Sequence, residues 1–132
     1  MKLQISTDYA MRILQHLHVH KGEVQTATAI SGAVGITYPF FIKIANQLKR
    51  AGLLVSVQGR HGGYALGRPG HEISYYDVLV STTGEVKISR CLESGEPCLH
   101  GQRSACKVHT FLQGLQGRII AELSSQSIAD LA

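Results

Sequence analysis

The sequence predicts a mainly α-helical protein that carries one small β-hairpin and ends in a long helix. Three observations support this fold class. Residues 38–50 are amphipathic, and two short extended runs with a glycine-rich turn between them follow at once. Residues 6–20 and 106–123 repeat apolar side chains with helical spacing. The 132 residues are enough to bury a core within one structural domain.

Residues 6–20 form the first predicted helix. Ser6 or Thr7 can cap it, and Asp8 lies in the first turn, where a carboxylate suits the helix dipole. The apolar stripe of this helix consists of Ala10, Ile13, Leu14 and Leu17. Three histidines alternate near its end and are expected to point to different sides rather than to form a metal-binding face: His16, His18 and His20.

A short second helix of small residues is predicted at 26–34, where small side chains allow two helices to approach closely. Gly35 follows as a turn, and the third helix begins at Tyr38. This spacing is typical of a helix-turn-helix, in which the third helix here would be the recognition helix.

The third helix has clear ends and two different faces. Thr37 can cap it, and Gly52 can end it in the left-handed conformation. One face is apolar, with Phe41, Ile44, Ala45 and Leu48. The opposite face is polar and basic, and carries Pro39, Lys43, Asn46 and Arg50, with Gln47 at its border. An ordinary solvated helix face is the alternative interpretation of that charge pattern.

The segment after this helix predicts a hairpin. Residues 53–57 are rich in β-branched side chains, residues 59–63 contain three glycines, and residues 64–66 resume an extended run. Arg60 and His61 lie at the tip, flanked by glycines. An arginine on so slim a loop can enter a minor groove, whereas the alternative role is to keep the hairpin tip soluble.

Charge is distributed unevenly along the chain. Residues 1–70 contain eight Lys or Arg and two Asp or Glu, a net +6, whereas residues 71–132 contain five and seven, a net −2. A basic half that carries a helix-turn-helix and a hairpin predicts a winged helix-turn-helix domain over residues 1–84 that binds double-stranded DNA. The residues expected to contact DNA are Thr37, Tyr38, Pro39, Lys43, Asn46, Gln47, Arg50, Arg60 and His61.

Several other classes are disfavoured. The sequence has no run of 18 apolar residues and no apolar leader, so we expect a cytoplasmic protein without a membrane partner. No nucleophile–base pair or phosphate loop stands out, so we expect neither an enzyme nor a small-molecule substrate. A metal-binding or redox protein whose basic half is incidental is the alternative from another functional class.

The second half of the chain predicts two more helices around a loop. Ser74 and Asp77 form a variant capping box for a helix at 75–80 that ends at 82–84. Residues 85–106 form a loop, and Ser104 can cap the helix that follows. That helix has a long apolar stripe, Val108, Phe111, Leu112, Leu115, Ile119 and Leu123. We expect residues 107–132 to form a dimerisation helix with a final turn at 128–131 that packs on the core.

All three cysteines lie in the loop: Cys91, Cys98 and Cys106. A cytosolic chain keeps thiols reduced, and the basic residues nearby favour thiolates. Three thiolates can hold an iron–sulfur cluster with one further ligand, or zinc together with His109 or His100. A metal-free thiol sensor and the absence of any role are the remaining interpretations.

The sequence resembles the bacterial IscR/NsrR family of winged-helix regulators, often called the Rrf-two family. The resemblance rests on STDYAMRIL at 6–14, IKIANQLKRAGLL at 42–54, GRHGGYALGRP at 59–69, ISYYDVL at 73–79 and the three cysteines. It implies a homodimeric transcription regulator with crossing C-terminal helices, most simply a repressor. It also implies an iron–sulfur cluster that controls promoter affinity and responds to nitric oxide, redox state or cluster supply.

The family resemblance implies two candidates for the fourth ligand. NsrR-like members, which sense nitric oxide, complete a 4Fe–4S cluster with an aspartate of the partner subunit, and Asp8 of STDY occupies that position. IscR-like members complete a 2Fe–2S cluster with a histidine three residues after the third cysteine, and His109 occupies that position. The Asp8 match favours the NsrR-like interpretation and a 4Fe–4S cluster over a 2Fe–2S cluster.

Overall fold

The computed structural model describes residues 2–98, 100–101 and 103–132. In chain order its helices and strands are α1 (Ile5–Val19), α2 (Ala27–Val34), α3 (Tyr38–Arg50), β1 (Leu54–Val57), β2 (Gly63–Leu66), α4 (Tyr75–Thr83), α5 (Lys107–Ser125) and α6 (Ile128–Leu131). The predicted fold class is confirmed, since one antiparallel two-stranded hairpin accompanies these helices.

The core forms where α1 and α3 meet the start of the hairpin. The apolar stripe predicted for α1 is buried, and so are Phe41, Ile44, Ala45 and Leu48 of α3. Leu53 and Leu54 extend the core into β1. Burial of one face of α3 leaves its opposite face toward solvent, as the sequence predicts.

The start of α1 differs from the expected cap. The helix begins at Ile5, and neither Ser6 nor Thr7 caps it, since the N-cap residue is Gln4, whose side chain makes no capping bond. Thr7 instead lies within the first turn and is fully buried. Its hydroxyl oxygen lies 2.8 Å from that of Thr82, which joins α1 to α4.

The expectation that the α1 histidines point to different sides is wrong for one pair. His16 and His20 stack with ring centroids 4.3 Å apart, because residues four positions apart lie on the same face of a helix. His18 lies on another side and packs against Gly70, where an added β-carbon would clash with the His18 imidazole.

The helix-turn-helix is built as predicted. The Thr26 hydroxyl accepts a hydrogen bond from the Ala29 amide to cap α2, and Gly35 ends that helix with φ of 79°. The chain then bends by 105° into α3, within the range of helix-turn-helix motifs. Thr37 caps α3 by accepting from the Phe40 amide, and Gly52 follows its end with φ of 74°.

No single helix in the described part of the chain is long and apolar enough to cross a membrane. Among the residues that the structure describes, one bent pair of helices, α2 with α3, passes that test of length and composition.

The hairpin adds a third short segment to its two strands. Leu54 pairs with Leu66 and Val57 with Gly63 in the antiparallel register. Gln25, between α1 and α2, forms an isolated bridge with Tyr64, and the two residues exchange backbone hydrogen bonds of 3.0 and 2.7 Å. This bridge attaches the hairpin to the segment between α1 and α2.

The predicted capping box of α4 is confirmed, since Ser74 and Asp77 bond each other's backbone amides. The helix nevertheless continues to Thr83, three residues past its predicted end at Val80. The hydroxyls that favour a break in the sequence instead donate to carbonyls one turn earlier, as Thr83 does to Leu79.

The end of the chain agrees in outline with the prediction and differs in one cap. Helix α5 is capped by Cys106 rather than by Ser104, because the Cys106 sulfur accepts from the His109 amide at 3.4 Å. The predicted packing of the final turn on the core is confirmed, since Ile128 is buried and its amide donates to the Ile73 carbonyl. Throughout Lys107–Ser125, which the structure describes in full, no residue is buried.

Candidate DNA-binding surface and cysteine pocket

The outer face of α3 presents most of the predicted DNA-binding side chains to solvent. Lys43, Asn46 and Arg50 are exposed along the helix, as are Thr37, Tyr38 and Pro39 at its start. Gln47 is different, because it is only partly exposed and its Oε1 atom is buried. The face therefore offers two cations and an amide at positions where they can reach a DNA groove.

The tip of the hairpin is a tight turn. The Gly62 amide donates to the Gly59 carbonyl at 3.0 Å, which places Arg60 and His61 at the two central positions. Both side chains are exposed. Gly59 has φ of 109°, and a β-carbon at Gly62 would clash with the Val57 and Gly59 carbonyls, so the glycines predicted to make the turn are needed there.

The hairpin is held at a fixed place beside α3. Tyr64 packs edge-to-face against Phe41, with ring centroids 5.2 Å apart. Since Phe41 is fully buried on α3, this contact sets the distance between the recognition helix and the wing. Together with the Gln25 bridge, it positions the hairpin beside the predicted DNA-binding face of α3.

One basic residue beside this surface escaped the sequence-based prediction. Arg68, just after β2, lies 3.6 Å from the Asp77 carboxylate and lines a cleft of about 550 Å³ together with Arg50 and Gln47. Gly67, Pro69 and Gly70 around Arg68 predict only the end of an extended run, so the sequence pattern does not place Arg68 near α3. Its exposure makes it a further cation at the end of the recognition helix.

The structure brings the predicted cysteine ligands together. All three cysteines are partly buried and line one concavity of about 400 Å³. His109 and His100 line it too. The Nδ1 atom of His109 lies 3.5 Å from the Cys91 sulfur, and the Ser89 hydroxyl lies 3.4 Å from the same sulfur. We call this concavity the cysteine pocket.

Two arginines form bonds to Glu96 within the loop that carries the cysteines. Arg90 pairs with the Glu96 carboxylate at 2.9 Å, and Arg103 donates to the Glu96 backbone carbonyl. Both arginines also line the pocket, so positive charge lies beside the thiols.

The donor set of the pocket fits an iron–sulfur cluster chemically, because thiols and an imidazole face one partly enclosed space. As the side chains are placed, no group of three or more His, Cys, Asp or Glu residues within 2–98, 100–101 and 103–132 has the geometry to hold a single metal ion.

Asp8 lies outside the cysteine pocket of its own subunit. It is exposed on α1 and shares a shallow cleft with Arg12, Gln15 and Tyr75. Burial, and then the Asp8 carboxylate, raise the pKa of Tyr75 above its ordinary value. Asp8 therefore does not line the pocket formed by the cysteines of the same chain.

Comparison with known proteins decides the family. The family model Rrf2, described as "Iron-dependent Transcriptional regulator", matches residues 3–132. The chain belongs to the Rrf2 family. As a member of the Rrf2 family it is a DNA-binding transcription regulator, and its relatives are regulators rather than enzymes.

Curated Rrf2 relatives resemble it over most of its length. Protein aau3 of Rhizobium meliloti is 34% identical over 93% of this chain and 84% of its own. The HTH-type transcriptional regulator IscR of Vibrio campbellii is 30% identical over 99% of this chain and 77% of its own. The IscR of Serratia proteamaculans is 34% identical over 87% of this chain and 68% of its own.

Solved structures of low identity share the fold. CymR, described as the global cysteine regulator of B. subtilis, superposes with a TM-score of 0.77 at 22% identity, covering 100% of this chain and 96% of its own. T. potens IscR gives 0.75 at 22% identity, covering 99% and 85%. At this identity the similarity establishes the winged-helix fold alone.

Proposed function

We propose that this Rrf2 regulator is a homodimeric, cytoplasmic repressor whose affinity for promoter DNA depends on an iron–sulfur cluster held by Cys91, Cys98 and Cys106. The observation that carries the proposal is the convergence of the three cysteines on one pocket. Their spacing along a loop does not require them to meet. The loop nevertheless turns them toward one space, with His109 beside two of them.

Residues on α5 support the homodimer. Val108 and Phe111 are 64% and 60% exposed, and the other members of the predicted stripe are at most partly buried. An apolar stripe on a helix of 19 residues loses its solvent-exposed area if the same helix of a second subunit covers it. Helix α5 begins at the cysteine pocket, so the pocket and the dimer contact share one element.

Two residues qualify as the fourth ligand. Asp8 of the partner subunit would complete a 4Fe–4S cluster, as the STDY match favours, and would connect the pocket to the N-terminal helix of the other subunit. His109 would complete a 2Fe–2S cluster within one subunit, which the 3.5 Å approach of its Nδ1 atom to the Cys91 sulfur supports. A bound cluster supplies an iron group that reacts with nitric oxide and oxidants.

The chain provides a physical connection from the pocket to DNA. Cys106 caps α5, α5 packs against α4, and α4 packs against α3. A change in the Cys106 side chain therefore acts on the first turn of α5, and α4 lies between that helix and the recognition helix. The same connection would serve a zinc site or a thiol switch, which are the alternatives for this pocket.

Absorption spectroscopy and chemical analysis test the proposal. Protein purified without oxygen should be brown, with iron and sulfide in matching amounts. Its affinity for promoter DNA should change when the cluster is removed. Colourless protein that takes up zinc instead, or cannot be reconstituted with iron and sulfide, would reject the cluster while leaving DNA binding intact.

A further inference from the structure

We propose that His16 and His20 form a second binding site, for a divalent transition-metal ion, at the end of α1. The two imidazoles occupy successive turns of one helix face, with ring centroids 4.3 Å apart and planes inclined by 37°. Both residues are partly exposed, so an ion can reach them from solvent. The site lies on α1 and the segment that follows it, none of which lines the cysteine pocket, and it is independent of the proposed cluster.

The hydrogen bonding of His20 prepares it as a ligand. Its Nδ1 atom lies 2.8 Å from the His16 backbone carbonyl. A carbonyl oxygen can only accept, so Nδ1 must carry the proton, and in the neutral ring Nε2 is left with its lone pair. Metal-binding histidines are typically held in this way, with one ring nitrogen donating to a carbonyl or carboxylate and the other facing the ion.

The second imidazole has oxygen donors beside it. Nε2 of His16 lies 3.4 Å from Oε1 of Gln25. The Gln25 amide is oriented by its Nε2 atom, which donates to the Glu23 carboxylate at 3.1 Å. An ion at Nε2 of His16 would take the place of a proton, which moves to Nδ1 or leaves to water. The Gln25 amide oxygen then lies beside that ion and can join the coordination.

The donor types identify the class of ion. Imidazole with amide or carboxylate oxygen suits zinc, nickel and copper rather than magnesium or calcium. In the described residues the two imidazoles are not joined by a third His, Cys, Asp or Glu at ligand geometry, so water or a turned Glu23 side chain must supply the rest.

The location of the site connects it to the hairpin. Gln25, which contacts His16 through its side chain, carries the backbone bridge to Tyr64 of β2. An ion held by His16 and Gln25 would add a link between α1 and the hairpin. Metal binding here is thus expected to slow hydrogen exchange of the Tyr64 amide, which donates to the Gln25 carbonyl.

Titration of the full chain with zinc tests the site. Long-range ¹H–¹⁵N spectra follow each imidazole separately. The Nε2 signals of His16 and His20 should move together and saturate, while those of His18 stay in place. Movement of His109 alone would mean that zinc enters only the cysteine pocket, and would overturn this proposal without bearing on the cluster.

Matched variants count the bound ions. After dialysis against zinc, His16→Ala and His20→Ala should each retain one zinc fewer per chain than the parent, and His18→Ala should retain the same number. Circular dichroism checks that each variant is folded. If His20→Gln, which keeps the size and polarity of the side chain, retains the full zinc content, the proposal is wrong.

Discussion

Nδ1 of His109 lies 3.5 Å from the sulfur of Cys91, although the two residues are 18 positions apart. The contact follows from the cap of α5, because Cys106 accepts the His109 amide and so places His109 within the first turn. Its side chain then faces the turn that carries Cys91. One histidine therefore contacts two of the three cysteines, in a pocket that the third also lines.

Replacement of His109 tests this contact. We expect His109→Ala to lower the iron and sulfide that the protein retains after anaerobic reconstitution, because the imidazole lies beside the sulfur of Cys91, a proposed ligand. His100→Ala, at another position of the same pocket, is the matched control. Full retention in His109→Ala together with loss in Asp8→Ala would instead assign the fourth ligand to Asp8 of the partner subunit.

Arg60 is expected to carry much of the affinity that the wing adds. Arg60→Ala should weaken operator binding by about tenfold, or ~1.4 kcal/mol, and relax the preference for A·T-rich flanks, since the exposed guanidinium can enter a narrow minor groove. Fluorescence anisotropy with labelled operator measures the change. Arg118→Ala removes an equal charge from α5 and should leave affinity near that of the parent. Equal losses in the two variants would mean that only net charge matters.

The pKa of Tyr75 reports the position of Asp8. Burial first, and the Asp8 charge second, raise this pKa above 10.0. Asp8→Asn should lower it in metal-free protein, although burial keeps it above the ordinary value. Because the folded-state pKa is raised, the stability that Tyr75 contributes is present below pH 10.0 and falls as pH rises past it. NMR titration of the Tyr75 ring carbon measures the shift, and Asp130→Asn should not change it.

The Thr7–Thr82 hydrogen bond should contribute more to the stability of the fold than the Ser6 hydroxyl at the start of α1. Thr7→Val keeps the shape of the buried side chain and removes the hydrogen bond to Thr82, so it should lower the free energy of unfolding by about 1 kcal/mol. Ser6→Ala, at a position that does not cap the helix, should change it much less. Urea denaturation of both variants makes the comparison. The reverse ranking would mean that Ser6 acts as a cap in solution.

The exposed stripe of α5 predicts how the chain assembles. Phe111→Asp places a charge on the proposed contact between subunits and should yield monomers in sedimentation equilibrium. Gln113→Asp adds the same charge about 200° around the helix and should leave the dimer intact. If Phe111→Asp sediments with the same mass as the parent protein, this stripe is not the contact between subunits.

The recognition helix and the wing could be predicted from sequence because their determinants are local. Caps such as Thr37, the left-handed Gly52 and the glycines around Arg60 act through neighbours within a few positions. Apolar periodicity then identifies the buried face. The prediction that the α1 histidines point to different sides is wrong for His16 and His20. Residues four positions apart lie on the same face of a helix, and these two are such a pair.

The contacts between polar groups distant in sequence are visible only in the folded protein. The burial of Thr7 against Thr82, the bridge from Gln25 to Tyr64 and the approach of His109 to Cys91 each join distant positions. Sequence alone suffices to predict the family, the fold class and the DNA-facing side of α3, because these depend on local pattern. It could not determine contacts between segments, because their geometry depends on how the helices pack around the common core.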